Sequence, residues 1–209
     1  MRPLIATLAA AVATFALAGQ SAGAAAACRP SGSHTLVANA DARLYTTRTG
    51  ALGGCAIAQP QSIVLAFAET FYRPPVMALS GTMAAMVVND PNFDFPYIRA
   101  IDLGPSDYQL QLRRPEEQIG SIRVRRDGTL AFISCPPGRY DSANPPVTPG
   151  PTCRHSGRWR DTVYIAVPHR GLRRIANSRQ LDPASLQLSD TTISWRQSGH
   201  RRRILYRSR

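Results

Sequence analysis

Apolar and polar residues alternate over short runs along most of the chain, and turns rich in Gly, Pro, Asn and Asp separate these runs. In the segment SIRVRRDGTLAFIS, Ile122 and Val124 alternate with polar residues, Asp127-Gly128 follows, and apolar residues resume at Leu130. Alternation with a period of two is typical of β-strands, and Asp-Gly between two such runs is a strong hairpin signal. The pattern therefore predicts an all-β chain in which Asp127 and Gly128 serve a turn.

The hairpin phrase recurs along the chain. HTLVANADARLYTT, VMALSGTMAAMVV and SLQLSDTTISWRQ follow the same plan, with turns near residues 40, 81 and 190, and further strands follow each hairpin. Without the segment between Cys135 and Cys153, successive turns are about 41 to 46 residues apart, near the length of a four-stranded propeller blade. The repeats predict a propeller-like array of about four antiparallel four-stranded blades, of which the last is incomplete. A twisted β-sandwich of hairpins is the alternative, because Pro30 and Gly32 disfavour the strand that would close a ring.

The repeats are expected to form a single domain over residues 25–209. Their predicted bounds are 34–73, 76–119, 120–183 with a cysteine-closed loop at 135–153, and 184–209. Residues 1–24 have the layout of a secretory signal peptide: Arg2, an apolar run from Leu4 to Leu17, and small residues at the processing site. The run is shorter than the roughly 20 residues that a membrane-spanning helix needs. We therefore expect a secreted protein, extracellular or associated with the cell surface, with no transmembrane segment.

The third repeat resembles a blade of the TolB-type β-propellers. The resemblance lies in an Asp-Gly turn, a small-aromatic pair, a strand rich in Val and Tyr, and a Gly-led final strand: Asp127, Gly128, Ala131, Phe132, Tyr164 and Gly171, with a partial echo at Ser194 and Trp195. The chain as a whole is similar to secreted actinobacterial proteins with TolB-type propeller-like repeats. That resemblance implies a propeller and supplies no activity.

Four cysteines in an exported chain predict disulfide bonds. They allow three pairings, of which nearness in sequence favours Cys28 with Cys55 and Cys135 with Cys153. The second bridge would close a loop rich in Pro and Gly. Lipidation of Cys28 after signal cleavage is an alternative, but it would leave one thiol without a partner.

The charge of the chain is one-sided. All 25 basic residues are Arg, against 13 acidic residues, and the net charge is +12. Without Lys, Schiff-base catalysis is excluded, and Arg rarely serves as a general base. Arg and aromatic side chains together can hold phosphate groups and stack on bases or sugars, and two clusters of them predict a ligand-binding site: Arg158, Trp159, Arg160, Arg201, Arg202, Arg203 and Tyr206. The alternative is a solvated basic face without a ligand.

The segment NDPNFDF places Asp90, Asn92 and Asp94 at alternate positions, where their oxygens could surround a calcium ion. An EF-type loop requires Gly and Glu where this chain has Phe95 and Ile101. A turn between two strands is therefore the competing interpretation. No other cofactor is expected.

Motifs of the common hydrolases and nucleotide-binding proteins are absent from the sequence: no G-x-S-x-G, no H-E-x-x-H and no P-loop. We expect a binding module of the cell envelope that recognises an anionic or carbohydrate-containing polymer through Arg-rich loops. Another envelope protein is the second candidate partner, and export argues against intracellular nucleic acid. The alternative function is a propeller-type hydrolase acting on a carbohydrate or peptide, with catalytic residues that the sequence does not identify.

Overall fold

Within each sheet of the described chain, consecutive strands pair with one another and run antiparallel. The structure is a computed structural model that describes residues 28–67, 76–89, 96–106, 108–113, 118–136 and 160–206. Within these ranges there are fifteen strands and no helix, and the strands form four antiparallel sheets. The prediction of an all-β chain built from successive meanders is confirmed. The predicted signal sequence at 1–24 lies outside the described residues.

Each sheet is a meander in chain order. Sheet 1 contains β1 His34–Ala38, β2 Ala42–Thr46, β3 Leu52–Ala56 and β4 Gln59–Ala66; sheet 2 contains β5 Met77–Ser80, β6 Met83–Asn89, β7 Pro96–Asp102 and β8 Gln109–Arg113. Sheet 3 contains β9 Gln118–Val124, β10 Leu130–Cys135, β11 Asp161–Val167 and β12 Gly171–Ser178; sheet 4 contains β13 Leu181–Leu188, β14 Thr192–Gln197 and β15 His200–Leu205. Sheet 4 therefore has three strands where the others have four.

Hydrophobic cores lie between neighbouring sheets. Strand β6 reads MAAMVV, and its side chains alternate between two cores: Met86 packs toward sheet 1, and Met83 packs toward sheet 3. Strand β10 behaves in the same way, since Phe132 faces sheet 2 and Ile133 faces sheet 4. A strand that is buried on both faces needs a continuous apolar run instead of alternation. Sheets 2 and 3 are thus the inner layers, and sheets 1 and 4 are the outer ones.

The first strands of the four sheets lie side by side. Strands β1 and β2 contact β5, strand β9 contacts β5 and β6, and strand β13 contacts β9 and β10. Within the described residues, none of the hydrophobic clusters joins sheet 4 to sheet 1.

A disulfide bond fastens the chain segment before β1 to sheet 1. Cys28 and Cys55 are bonded, with 5.7 Å between their Cα atoms, and both side chains are fully buried. The predicted pairing of these two cysteines is confirmed, and the Cys28 sulfur is not available for a lipid. Cys135 is also disulfide-bonded, whereas Cys153, its predicted partner, lies outside the described residues.

The Asp127-Gly128 turn has the geometry that the sequence predicts. Gly128 has a φ of 81°, a left-handed conformation that costs a residue with a Cβ about 1–2 kcal/mol. The Asp127 carboxylate accepts a hydrogen bond of 2.9 Å from the Thr129 amide. A Cβ on Gly128 would lie 2.8 Å from Cζ of Tyr108, the residue just before β8 of sheet 2. The glycine therefore serves both the turn and the close approach of sheets 2 and 3.

Replacing Gly128 with alanine should lower the free energy of unfolding by about 2 kcal/mol or more, because backbone strain and crowding against Tyr108 add together. The matched control is Gly171→Ala: its φ is 75° but nothing lies within 4 Å of the added Cβ, so about 1 kcal/mol of strain is expected. Urea denaturation of both variants separates the two effects. Equal losses would show that the contact with Tyr108 contributes nothing.

Candidate functional site

Strand β15 differs from the strands that hold the same place in other sheets. It is the third strand of sheet 4, and all six of its residues are exposed. The third strands of sheets 1 and 3, β3 and β11, are buried at every residue. Strands β3 and β11 lie inside their sheets, between two paired strands, whereas β15 is the edge strand of sheet 4 among the described strands.

The two faces of β15 carry different side chains. Arg201 lies opposite Arg196 of β14, and Arg203 lies opposite Ser194. Arg202 and Ile204 point to the other face, the one on which sheet 4 packs against sheet 3. We call Arg196, Arg201 and Arg203 the arginine face, since they share the side of sheet 4 that points away from sheet 3.

The arginine face carries more positive than negative charge: Asp182 of β13 lies opposite Arg196, and no acidic residue of the described strands lies opposite Arg201 or Arg203. Arg201 donates hydrogen bonds to Gln187 Oε1 at 3.0 Å and to Ser194 Oγ at 3.3 Å, both of which are uncharged. In the described part of the chain, no ion pair involves Arg196, Arg201 or Arg203. A guanidinium can form two parallel hydrogen bonds with a phosphate or carboxylate. The arginine face is therefore equipped to bind an anion.

The structure separates the residues that the sequence grouped as one ligand-binding site. Arg201, Arg202 and Arg203 lie on a strand of sheet 4 and not in a loop. Arg160 immediately precedes β11 of sheet 3, where it lines an open cleft of about 460 Å³ with Arg174 and Asn177. Arg158 and Trp159 lie outside the described residues, as do Asp90, Asn92 and Asp94 of the predicted calcium site.

Tyr206, the remaining predicted ligand-binding residue, fastens the end of β15 to the neighbouring turns. Its hydroxyl donates to Ser189 O at 2.6 Å and accepts from Arg125 Nη1 at 3.0 Å. The Arg125 guanidinium also lies 5.9 Å from the centre of the Tyr206 ring, within the range of a cation–π interaction. The hydroxyl of Tyr206 is thus engaged within the protein.

Arg125 and Arg126 join the first hairpin turns of all four sheets, an arrangement that the sequence did not reveal. Arg126 crosses from the turn of sheet 3 to that of sheet 1, where Nη2 lies 2.6 Å from Oδ2 of Asp41. It passes close to Gly81 in the turn of sheet 2. Arg125 reaches the turn of sheet 4, donating to Asp190 O at 2.6 Å. We call this set of contacts the turn network; its signal in the sequence was the Arg-Arg pair just before Asp-Gly.

The side chains of the turn network alter one another's titration. Burial alone would lower the pKa of Arg125, but its hydrogen bond to Tyr206 and the Asp127 and Asp190 carboxylates raise it above the usual value. Burial raises the pKa of Tyr206, and Arg125 only partly opposes this. Burial and the charge of Asp127 likewise raise the pKa of Tyr108. At neutral pH the arginine is therefore charged and both tyrosines are neutral hydrogen-bonding groups.

The carboxylates in the turns form ion pairs that stabilise the fold. Asp41 pairs with Arg126, and Asp127 and Asp190 both lie 3.4 Å from Arg125. Within the residues that the structure describes, no three His, Cys, Asp or Glu side chains come together as a potential metal site. The same residues include no helix long and apolar enough to cross a membrane. The accessible charge of the described surface is mainly that of its arginines.

Two adjacent arginines allow a direct test of the turn network. Arg125→Met should lower the free energy of unfolding by about 2 kcal/mol, because the side chain is only 18% exposed and its loss removes two hydrogen bonds and the cation–π contact with Tyr206. Arg126→Met removes an ion pair whose arginine is 76% exposed and should cost less than about 1 kcal/mol. Chemical denaturation measures both values. A larger loss for Arg126→Met would contradict this ranking.

Asp102, at the end of β7, should make stability depend on pH. Burial alone would raise its pKa, but hydrogen bonds from Ser106, Thr82 and the Gly104 amide together lower it below the usual value of 3.8. The stabilisation is therefore fully present above pH 3.8 and is lost as the pH falls through the lowered pKa. Asp102→Asn should be less stable than the native chain at neutral pH, and the difference should disappear in acid. Ser106→Ala should show a smaller effect of the same sign; a difference independent of pH would contradict the assignment.

Comparison with known proteins assigns this geometry to no family. No family model matches the chain, and no curated protein matches it. What the protein does must follow from its own side chains and their surroundings.

Proposed function

We propose that this chain is a secreted binding module of the cell envelope that recognises an anionic polymer through the arginine face of sheet 4. The observation that carries the proposal is the exposed row formed by Arg196, Arg201 and Arg203, none of which forms an ion pair within the described residues. By contrast, Arg125 and Arg126 are paired with carboxylates. The distinction separates arginines that hold the fold from arginines that are free to meet a ligand.

The spacing of the arginine face suits a repeating anion. Arg201 and Arg203 are two residues apart on one strand, which places their Cα atoms about 7 Å apart on the same face. Phosphodiester or carboxylate groups repeating at a similar distance along a polymer could engage both guanidinium groups. Recognition would then depend on several charge-assisted hydrogen bonds, and export would present the protein to polymers of the envelope.

Charged edge strands also have a purely protective role, because arginine or lysine on an edge strand discourages aggregation between sheets. The hydrogen bonds from Arg201 to Gln187 and Ser194 favour a ligand-binding role in addition. They orient this guanidinium over the face of the sheet instead of leaving it free in solvent. An oriented side chain loses less conformational entropy when a ligand binds.

The proposed frame of the module is an open, propeller-like array of TolB-type blades. Four consecutive meanders, first strands that lie side by side, and the Arg126 bridge between the turns of sheets 1 and 3 support this arrangement. The array would carry sheet 4 at one end, so that its outer face remains accessible to a polymer. Recognition would thus occur on a sheet face, and not through the Arg-rich loops expected from the sequence.

Binding to isolated Gram-positive cell walls tests the function. The purified secreted protein should bind saturably, and binding should persist at physiological salt, where the Debye length is about 8 Å. Arg201→Gln/Arg203→Gln should weaken binding about tenfold or more, since hydrogen bonds to charged groups contribute about 1.5–3 kcal/mol each.

The matched control removes the same charge elsewhere. Arg29 and Arg48 are exposed residues near sheet 1, and Arg29→Gln/Arg48→Gln should change wall binding less than about threefold. Equal losses in the two double variants would show that binding follows net charge and not the arginine face. Absence of saturable binding by the native chain would reject the function.

A further inference from the structure

Strand β15 offers an open backbone edge in addition to its side chains. Sheets 1, 2 and 3 each have a fourth strand against the third, namely β4, β8 and β12, and sheet 4 has none in the described chain. Strand β15 pairs with β14 over its whole length, from His200 opposite Gln197 to Leu205 opposite Thr192. In an antiparallel ladder, alternate residues direct their N–H and C=O groups toward the opposite edge. That edge of β15 is therefore a row of donors and acceptors available to a further strand.

The backbone features that block strand addition, proline and β-bulges, are missing from β15. The sequence HRRRIL contains no proline, so every residue of β15 keeps its backbone N–H. The paired length of β15 with β14 is continuous, without the register shifts that interrupt β13 against β14. A regular, unbroken ladder is the geometry that an incoming strand requires.

The charge of β15 determines which kind of strand can pair with it. A second copy added antiparallel would bring the Arg201–Arg203 run close to an identical run, and like charges directly opposite one another are destabilising. An acidic strand would instead place opposite charges across the ladder. Ile204 and Leu205 are 38% and 74% exposed, so apolar residues of the incoming strand could cover them. The register thus requires two apolar residues followed by three acidic ones, read along an antiparallel partner.

We propose that β15 accepts, as the fourth strand of sheet 4, an extended acidic segment of a partner protein. The segment would hydrogen-bond to the open edge, place acidic side chains opposite Arg201, Arg202 and Arg203, and cover Ile204 and Leu205. This inference does not rest on the polymer-binding function. A polymer engages the arginine face through side chains alone, whereas a polypeptide strand also uses the backbone of β15.

A peptide with a blocked backbone distinguishes strand addition from simple charge attraction. The probe is a synthetic peptide with two apolar residues followed by three acidic residues, and its control is the same peptide N-methylated at alternate amides. N-methylation keeps every charge but removes backbone donors. The unmodified peptide should bind the full-length secreted protein, and the methylated peptide should bind at least about tenfold more weakly, because it loses several backbone hydrogen bonds to β15.

Two further measurements locate the contact. Amide hydrogen exchange should slow at alternate residues of β15 when the unmodified peptide is bound. Arg201→Glu/Arg203→Glu should lose the acidic peptide and gain affinity for a peptide with the acids replaced by arginine, which shows that the variant is folded. Equal binding of the methylated and unmodified peptides, absence of protection in β15, or no binding by the native protein would overturn the proposal. Each of these results is independent of cell-wall binding, so the two proposals can fail separately.

Discussion

Strands β6 and β10, inside sheets 2 and 3, are buried on both faces, and the stacking of the four sheets depends on that burial. Successive side chains of β6 and β10 enter two different cores. Met86 of β6 lies in the core between sheets 1 and 2, and Phe132 of β10 lies in the core between sheets 2 and 3. A fully buried side chain of this size contributes about 1.5–3 kcal/mol relative to an exposed one. The two inner sheets therefore hold the outer sheets, and each outer sheet has one face that no hydrophobic cluster of the described chain covers.

The arginines of this protein divide into two groups by their surroundings. Arg125 and Arg126 extend from one hairpin turn to the turns of other sheets and are held by carboxylates, carbonyl oxygens and Tyr206. Arg201 and Arg203 lie on an exposed strand, with uncharged partners or none in the described residues. The same side chain thus stabilises the arrangement of the sheets in one place and presents positive charge to solvent in another. Composition alone does not make this distinction, since it counts all 25 basic residues alike.

The exposed strand β15 connects the fold to the proposed functions. In sheets 1, 2 and 3 a fourth strand pairs with the third strand. In the described chain no strand pairs with the outer edge of β15, so both its side chains and its backbone edge are exposed. Arginine on the face favours anions, and the unpaired ladder favours an extended polypeptide. Both proposed kinds of recognition would arise from the same feature of the described chain, namely that sheet 4 has three strands where the other sheets have four.

The amino-acid sequence by itself determined the local structure of this protein. Alternation of apolar and polar residues identified the strands, Asp127-Gly128 identified a turn, and nearness in sequence identified the Cys28–Cys55 bond. These features depend on contacts between residues close along the chain, so local patterns predict them. The three-stranded fourth sheet was also foreseen, because the last repeat is short.

Only the tertiary structure decided which charged side chains form contacts within the protein and which face solvent. The sequence placed Arg160 and Arg201 in one site, but they lie on different sheets. It did not reveal that Arg126 meets Asp41, a residue 85 positions away along the chain. The sequence also placed Tyr206 in a ligand-binding site, whereas in the structure its hydroxyl forms hydrogen bonds with Ser189 and Arg125. Such contacts depend on how the sheets pack against one another, and no local period of the chain records that packing.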